Sequence, residues 1–239
     1  MKLLREDGPV IRVGHRGAAA LAPENTLPSF EAALAHGVDA IELDVLDADP
    51  GPLVLGHSLA ELGADPATLD EALDYLAARD VAVHVDLKLT TRLDEVAAAL
   101  DRHGLVGRAV VSSFHLPSLT AIAAHAPLVP IGFTYPEDRY GVSKRRGLTP
   151  VIRLGTLALR RAVGARIPAL IARAGARALM LQHSVVSAAA VERAHAAGAA
   201  VWAWTVDDPA ELARLDAAGV DAVITNDPSL FSTLATLRP

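Results

Sequence analysis

Short runs rich in Val, Ile and Leu recur along the chain, and an Ala/Leu-rich stretch follows each one. The apolar runs fall at 10–14, 40–46, 81–88, 109–114, 128–135, 178–183, 200–206 and 222–225. Between them, "TLDEALDYLAARD" and "TTRLDEVAAALDRHG" open on Thr followed by acidic residues, which predicts helix N-termini there. "ENTLPSFEAALAHG", "SAAAVERAHAAG" and "PAELARLDAAG" close on glycine, a helix C-terminal signature. Glu24 and Asn25 are expected either to cap the first helix or to brace the His-Arg pair just before it. Strand followed by helix, repeated eight times, predicts parallel βαβ units.

Eight such units in 239 residues predict an α/β fold, a (β/α)8 TIM barrel forming a single domain over 1–239 with a short cap after the second strand. An open doubly wound sheet ranks below it. The segment after the first strand is "GHRGAAA", with no G-x-G-x-x-G phosphate loop. The segment 141–174 is the least regular and predicts a loop with a long helix interrupted at Gly164.

Composition narrows the function. Aromatic content is 4%, so Ala, Leu and Val must fill the core. The formal net charge is -6 and the densest basic run is "SKRRG" at 143–147, which argues against nucleic acid as a partner. There are no cysteines, hence no disulfide, thiolate nucleophile or thiolate metal site. No stretch is an evident membrane span, no basic amphipathic helix is evident, and the first ten residues lack a signal-peptide apolar run. A cytoplasmic protein without stable membrane insertion is expected. Oligomeric state is not legible.

Active sites of such barrels lie at the C-terminal ends of the strands. The first strand ends in His15 and Arg16. In "IELDV", Glu42 and Asp44 share one strand face, while Ile41, Leu43 and Val45 point to the helices. In "HVDLK", His84, Asp86 and Lys88 share a face in the same way. Carboxylates aimed into a barrel must be protonated, paired or bound to a cation. Glu42, Asp44 and Asp86 suit a hard divalent ion such as Mg²⁺ or Ca²⁺. Salt bridges to Arg16 and Lys88 are the other reading, and the two are compatible. His57 in "LVLGHS" falls on a loop or hairpin over the same mouth, giving a second imidazole for acid–base work. His36, His103, His125 and His195 lie near helix ends.

Together "GHRG", "PENTLPSFEAALAHGVDAIELDV", "LVLGHS", "HVDLK" and "GVDAVITNDP" resemble the glycerophosphodiester phosphodiesterase family, within the phosphatidylinositol-phospholipase-C-like barrels, over nearly the whole chain. The resemblance implies that His15 and His57 are the catalytic acid–base pair. It implies that Glu42, Asp44 and Asp86 bind the metal, that Arg16 and Lys88 contact phosphate, and that Trp204 lines the substrate pocket. The implied reaction hydrolyses a small-molecule glycerophosphodiester to an alcohol and glycerol 3-phosphate. The chain departs from the family in having Ser58 where the second histidine is usually followed by Asp, and Asp86 where the third ligand is usually Glu. It is also short between His57 and Thr68, which implies a small cap. Two rivals stay open: a catalytically weak barrel that binds a phosphate ligand, and a lyase-like phospholipase that releases a cyclic phosphate.

Overall fold

The computed structural model describes residues 1–6, 8–136 and 149–233, with backbone only at 149–158 and 161. The basic run at 143–147 therefore lies outside the described residues. Among the described residues there are nine strands: β1 (Ile11–Gly14), β2 (Ala40–Asp47), β3 (Leu53–Leu55), β4 (Ala82–Leu87), β5 (Ala109–Ser113), β6 (Ile131–Tyr135), β7 (Ala178–Gln182), β8 (Ala200–Trp204) and β9 (Ala222–Thr225). All but β3 run parallel in the order β1-β9-β8-β7-β6-β5-β4-β2. Pairing of Val13 with Ala40 and Gly14 with Ile41 joins β1 to β2 and closes the barrel. That closure rules out the open sheet. β2 pairs directly with β4 despite the excursion between them, placing Glu42 beside His84 and Asp44 beside Asp86.

Among the described residues, seven α-helices surround the barrel: α1 (Leu27–Ala35), α2 (Leu69–Ala77), α3 (Leu93–Arg102), α4 (Leu116–His125), α5 (Thr149–Ala174), α6 (Ala188–Ala196) and α7 (Pro209–Ala217). A 3-10 turn, Pro228–Thr233, follows the last strand in place of a helix. The period-2 pattern sorts the strands as expected. Ile41, Leu43 and Val45, with Val83, Val85 and Leu87, join the core between barrel and helices. Among the described residues, no helix is long and apolar enough to cross a membrane.

Thr68 caps α2 through a reciprocal pair with Glu71, as expected from the Thr-acidic signature. Of the two roles expected for Glu24 and Asn25, capping is not the one found, because Thr26 with Ser29 caps α1. Two expectations need correction. α3 starts at Arg92 in a left-handed conformation without a side-chain cap. The Thr91 hydroxyl is already committed, donating to Asp47 Oδ2 at 2.7 Å, while Arg92 binds Asp47 and Gly51 O across the β2–β3 turn. α5 continues through Gly164. The bare Cα there lets the Arg193 side chain of α6 pack closely, since an added Cβ would meet Arg193 Nη1 at 3.1 Å.

The barrel interior divides into two levels. The lower level is apolar: Val13, Ala40, Val110, Ala178, Met180, Ala200, Trp202, Ala222 and Ile224. Four alanines leave the space that the fully buried Trp202 fills. The indole Nε1 donates to Leu3 O at 3.1 Å, so the N-terminal segment seals the floor. Above this floor the inward positions turn polar. Trp202→Ala should destabilise the fold by about 3–5 kcal/mol in urea unfolding, as large-to-small core changes do. A loss under about 1 kcal/mol would mean that the floor is not packed around this ring.

Candidate active site

Glu42 and Asp44 on β2 and Asp86 on β4 point inward at the C-terminal mouth, and all three are buried. One oxygen from each lies within 4.8 Å of the others. Compensation among them is uneven. Asp44 Oδ2 meets Arg16 Nε at 2.8 Å, Asn25 Nδ2 at 3.3 Å and His57 Nδ1 at 3.5 Å. Lys88 Nζ lies 3.1 Å from Asp44 Oδ1 and also contacts Asp86 Oδ2. Burial alone would raise the Asp44 carboxyl, but Lys88 and Arg16 outweigh it and hold it well below the usual carboxylate range. Lys88 is held above its ordinary range: burial opposes its charge, and Asp86 and Asp44 override that. Glu42 accepts the Arg16 backbone N–H at 2.8 Å and lies 4.0 Å from His15 Nε2. Burial, then repulsion from Asp44 and Asp86, pushes its carboxyl well above normal.

Positive charge is thus short at this cluster. Asp44 Oδ1 is buried without a hydrogen bond of good geometry. Three hard oxygen donors, an Asp44 oxygen met only by the Lys88 charge, and one carboxyl that resists ionisation together fit a divalent cation.

The β1–α1 loop brings Arg16 in through local strain. Arg16 has φ +51 and Asn25 φ +57, both left-handed. Gly17 follows at φ +85, where an added Cβ would strike Ser29 Oγ at 2.3 Å. Ser29 Oγ and the Asn25 backbone N–H both donate to Arg16 O, at 2.8 and 3.0 Å. The Arg16 guanidinium reaches Glu24, at 2.8 Å, as well as Asp44. Glu24 and Asn25 are therefore braces, the second of the two roles expected for them.

The two imidazoles carry opposite tautomers. Arg16 Nη2 lies 2.9 Å from His57 Nδ1. A guanidinium only donates, so Nδ1 accepts and His57 carries its proton on Nε2. His15 Nδ1 is 2.6 Å from Asn226 Oδ1. Asn226 Nδ2 donates to Asp207 Oδ2 at 2.6 Å, and that acceptor-only carboxylate fixes the amide with its oxygen toward His15. His15 therefore donates from Nδ1 and holds a lone pair on Nε2. Burial, then the Arg16 charge, lowers the His15 pKa. Asn226 and Asp207 were not among the expected site residues, although both stand in the polar groups that end β9 and β8.

His57 follows β3, which pairs antiparallel with β2, on the expected hairpin over the mouth. Ser58 turns away from it, donating to Glu61 Oε2 at 2.8 Å in a short 3-10 turn that forms the small cap. Trp204 is at the rim, tied by Nε1 to Met180 O at 2.8 Å and edge-on to Phe114 at 5.9 Å. Phe114, which was not foreseen, also lies 5.7 Å from Lys88 Nζ.

The profile of the Glycerophosphoryl diester phosphodiesterase family matches residues 15–74 and 68–230. Among curated proteins, the chain is 25% identical over 258 residues to a glycerophosphodiester phosphodiesterase of Caldanaerobacter subterraneus subsp. tengcongensis, covering 93% of this chain and 96% of that one. It is 27% identical over 266 residues to a probable glycerophosphodiester phosphodiesterase 1 of Mycobacterium tuberculosis, covering 90% and 89%. Among solved structures, a putative glycerophosphoryl diester phosphodiesterase from Silicibacter pomeroyi superposes with TM-score 0.79 at 22% identity, covering 98% and 95%. An Oleispira antarctica phosphodiesterase in complex with the product sn-glycerol-3-phosphate gives 0.71 at 21%, covering 95% and 97%. The structural likeness speaks for the fold.

Glu42 binds its proton more tightly folded than unfolded, so the fold loses stability as pH rises through the ordinary carboxylate range toward the raised value. Glu42→Gln removes that loss and keeps an acceptor for Arg16 N–H. In EDTA at pH 7 it should stabilise by about 1–2 kcal/mol, a melting-temperature rise of roughly 2–8 °C. It should also abolish any rise on adding Mg²⁺ or Ca²⁺. A variant less stable than the parent in EDTA would contradict this electrostatic account.

Proposed function

The chain belongs to the glycerophosphoryl diester phosphodiesterase family of phosphoric diester hydrolases, and on that premise we propose that it hydrolyses a glycerophosphodiester to an alcohol and glycerol 3-phosphate with a divalent metal and two histidines. The observation that carries this reading is the pair of imidazoles, one against Asn226 Oδ1 and the other against Arg16 Nη2, beside three clustered carboxylates. The sn-glycerol-3-phosphate held by the Oleispira phosphodiesterase of similar fold supports the product class.

Glu42, Asp44 and Asp86 would hold Mg²⁺ or Ca²⁺, which when bound polarises phosphoryl oxygens and acidifies a hydroxyl. His15, with its Nε2 lone pair, takes the proton of the attacking hydroxyl, and His57, with its Nε2–H, gives one to the leaving oxygen. Asn226 and Asp207 keep the His15 proton on Nδ1 during this exchange. Arg16 and Lys88 stabilise charge developing on the phosphoryl oxygens. The half-buried faces of Trp204 and Phe114 line the rim where the alcohol portion enters. The attacking hydroxyl is either water or a hydroxyl of the substrate itself, the second route passing through a cyclic phosphate.

Turnover of glycerophosphocholine should vanish in EDTA, return with Mg²⁺, Ca²⁺ or Mn²⁺, and be absent in Glu42→Ala. His15→Ala and His57→Ala should each lower kcat about 10²–10⁴-fold. Asn226→Ala should lower kcat at least about 10-fold with KM little changed, because His15 loses its tautomer restraint. Undiminished turnover in His57→Ala would remove its assignment. Persistence of a cyclic phosphate would make the protein a lyase-like phospholipase. Glycerol 3-phosphate binding without turnover in any metal would make it a phosphate-binding barrel.

A further inference from the structure

One buried titratable side chain has no part in this chemistry. His84 is 2% exposed on the inner face of β4, between Glu42 of β2 and Val110 of β5. Its ring lies edge-on to Trp202, with centroids 5.5 Å apart at 86°, where the apolar floor meets the polar mouth. His84 Nε2 is 2.8 Å from Ser112 Oγ, and Ser112 Oγ in turn contacts Asp86 Oδ1. Thr134 Oγ1 reaches the same carboxylate oxygen at 3.5 Å. His84 Nδ1 is buried with no hydrogen-bond partner among the described residues.

Counting protons leaves one arrangement. Asp86 is paired with Lys88 and accepts only, so the single Ser112 proton goes to Asp86 Oδ1. The Ser112 oxygen must then accept from His84 Nε2–H, which leaves the lone pair on Nδ1. A histidine serving only as core filling gains nothing from that unmet acceptor, and an apolar side chain of similar volume would avoid it. What the histidine supplies is a fixed donor to Ser112.

We propose that His84 and Ser112 are positioning residues for the cation site. His84 Nε2–H holds the Ser112 hydroxyl, the hydroxyl occupies Asp86 Oδ1, and Oδ2, which Lys88 Nζ contacts, is the oxygen left to face a divalent ion. Three consecutive strands contribute: β4 gives His84 and Asp86, β5 gives Ser112 and β6 gives Thr134. The hydrogen bonds fix the Oδ1 side of a short carboxylate that Lys88 holds only at Oδ2. This inference rests on the metal reading of Glu42, Asp44 and Asp86.

The test is Mn²⁺ affinity of the full-length protein by electron paramagnetic resonance titration, without substrate. Ser112→Ala and His84→Met should each weaken Mn²⁺ binding about 10–100-fold, whereas His84→Gln, whose amide Nε2 can stand where the ring Nε2 stands, should stay within about threefold of the parent. If Ser112→Ala fails to fold, Ser112→Cys keeps the volume with a weaker donor and should show the same loss. Parent-like Mn²⁺ affinity in His84→Met and the folded Ser112 variant would overturn the proposal, as would a Gln variant as weak as Met. A parent that binds no Mn²⁺ would instead overturn the metal reading itself, and this inference with it.

Discussion

Three carboxylates inside the mouth of a closed barrel are the constraint to which the surrounding structure answers. Carboxylates removed from water are costly unless matched by charge or hydrogen bonds. Asp44 receives nearly all the available compensation, from Arg16, Lys88 and Asn25. Glu42 receives one backbone N–H and the distant edge of His15. The same cluster therefore holds one carboxyl firmly ionised and another that favours its proton. That asymmetry marks a place where a further positive charge would be most strongly attracted.

Meeting the constraint requires distortion elsewhere. Arg16 can offer its backbone N–H to Glu42 and its side chain to Asp44 only because its φ is +51. Gly17 and the Ser29 and Asn25 contacts to Arg16 O hold that shape. Beneath the cluster, Trp202 and the alanines around it make the floor apolar, so the charges above act through a poorly screened medium. Floor and mouth are thus coupled. The apolar packing that stabilises the barrel also strengthens every electrostatic contact at its upper end.

Much of this was legible in the sequence. Strict alternation in "IELDV" and "HVDLK" forces Glu42, Asp44 and Asp86 inward whatever else happens, because the pleat admits no other placement once Ile41, Leu43 and Val45 face the helices. What escaped depended on contacts between distant segments. His15 and Asn226 are 211 residues apart and meet only because β9 pairs with β1. His84 and Ser112 belong to strands whose pairing the pattern predicts, but the hydrogen-bond order between them depends on register and rotamer. The cap of α3 was misjudged for a related reason: Thr91 had a competing partner in Asp47, which sequence spacing does not reveal. At Gly164 local propensity favoured a break, and packing of α5 against α6 overrode it.

The departure at Ser58 has a consequence for the proton rather than for the fold. Ser58 serves the small 3-10 cap through Glu61 and gives no carboxylate to His57. The imidazole is instead held by Arg16 Nη2, with Asp44 farther away. A carboxylate at Nδ1 would draw the ring proton there, whereas a guanidinium leaves it on Nε2. Arg16 thus links three functions in the proposed mechanism: it neutralises Asp44, faces the phosphate, and sets His57 as a donor. His15 receives the opposite setting from Asn226 and Asp207. In the proposed mechanism two chemically identical side chains become an acid and a base by whether the partner at Nδ1 donates or accepts, and each partner is in turn fixed by a carboxylate that can only accept.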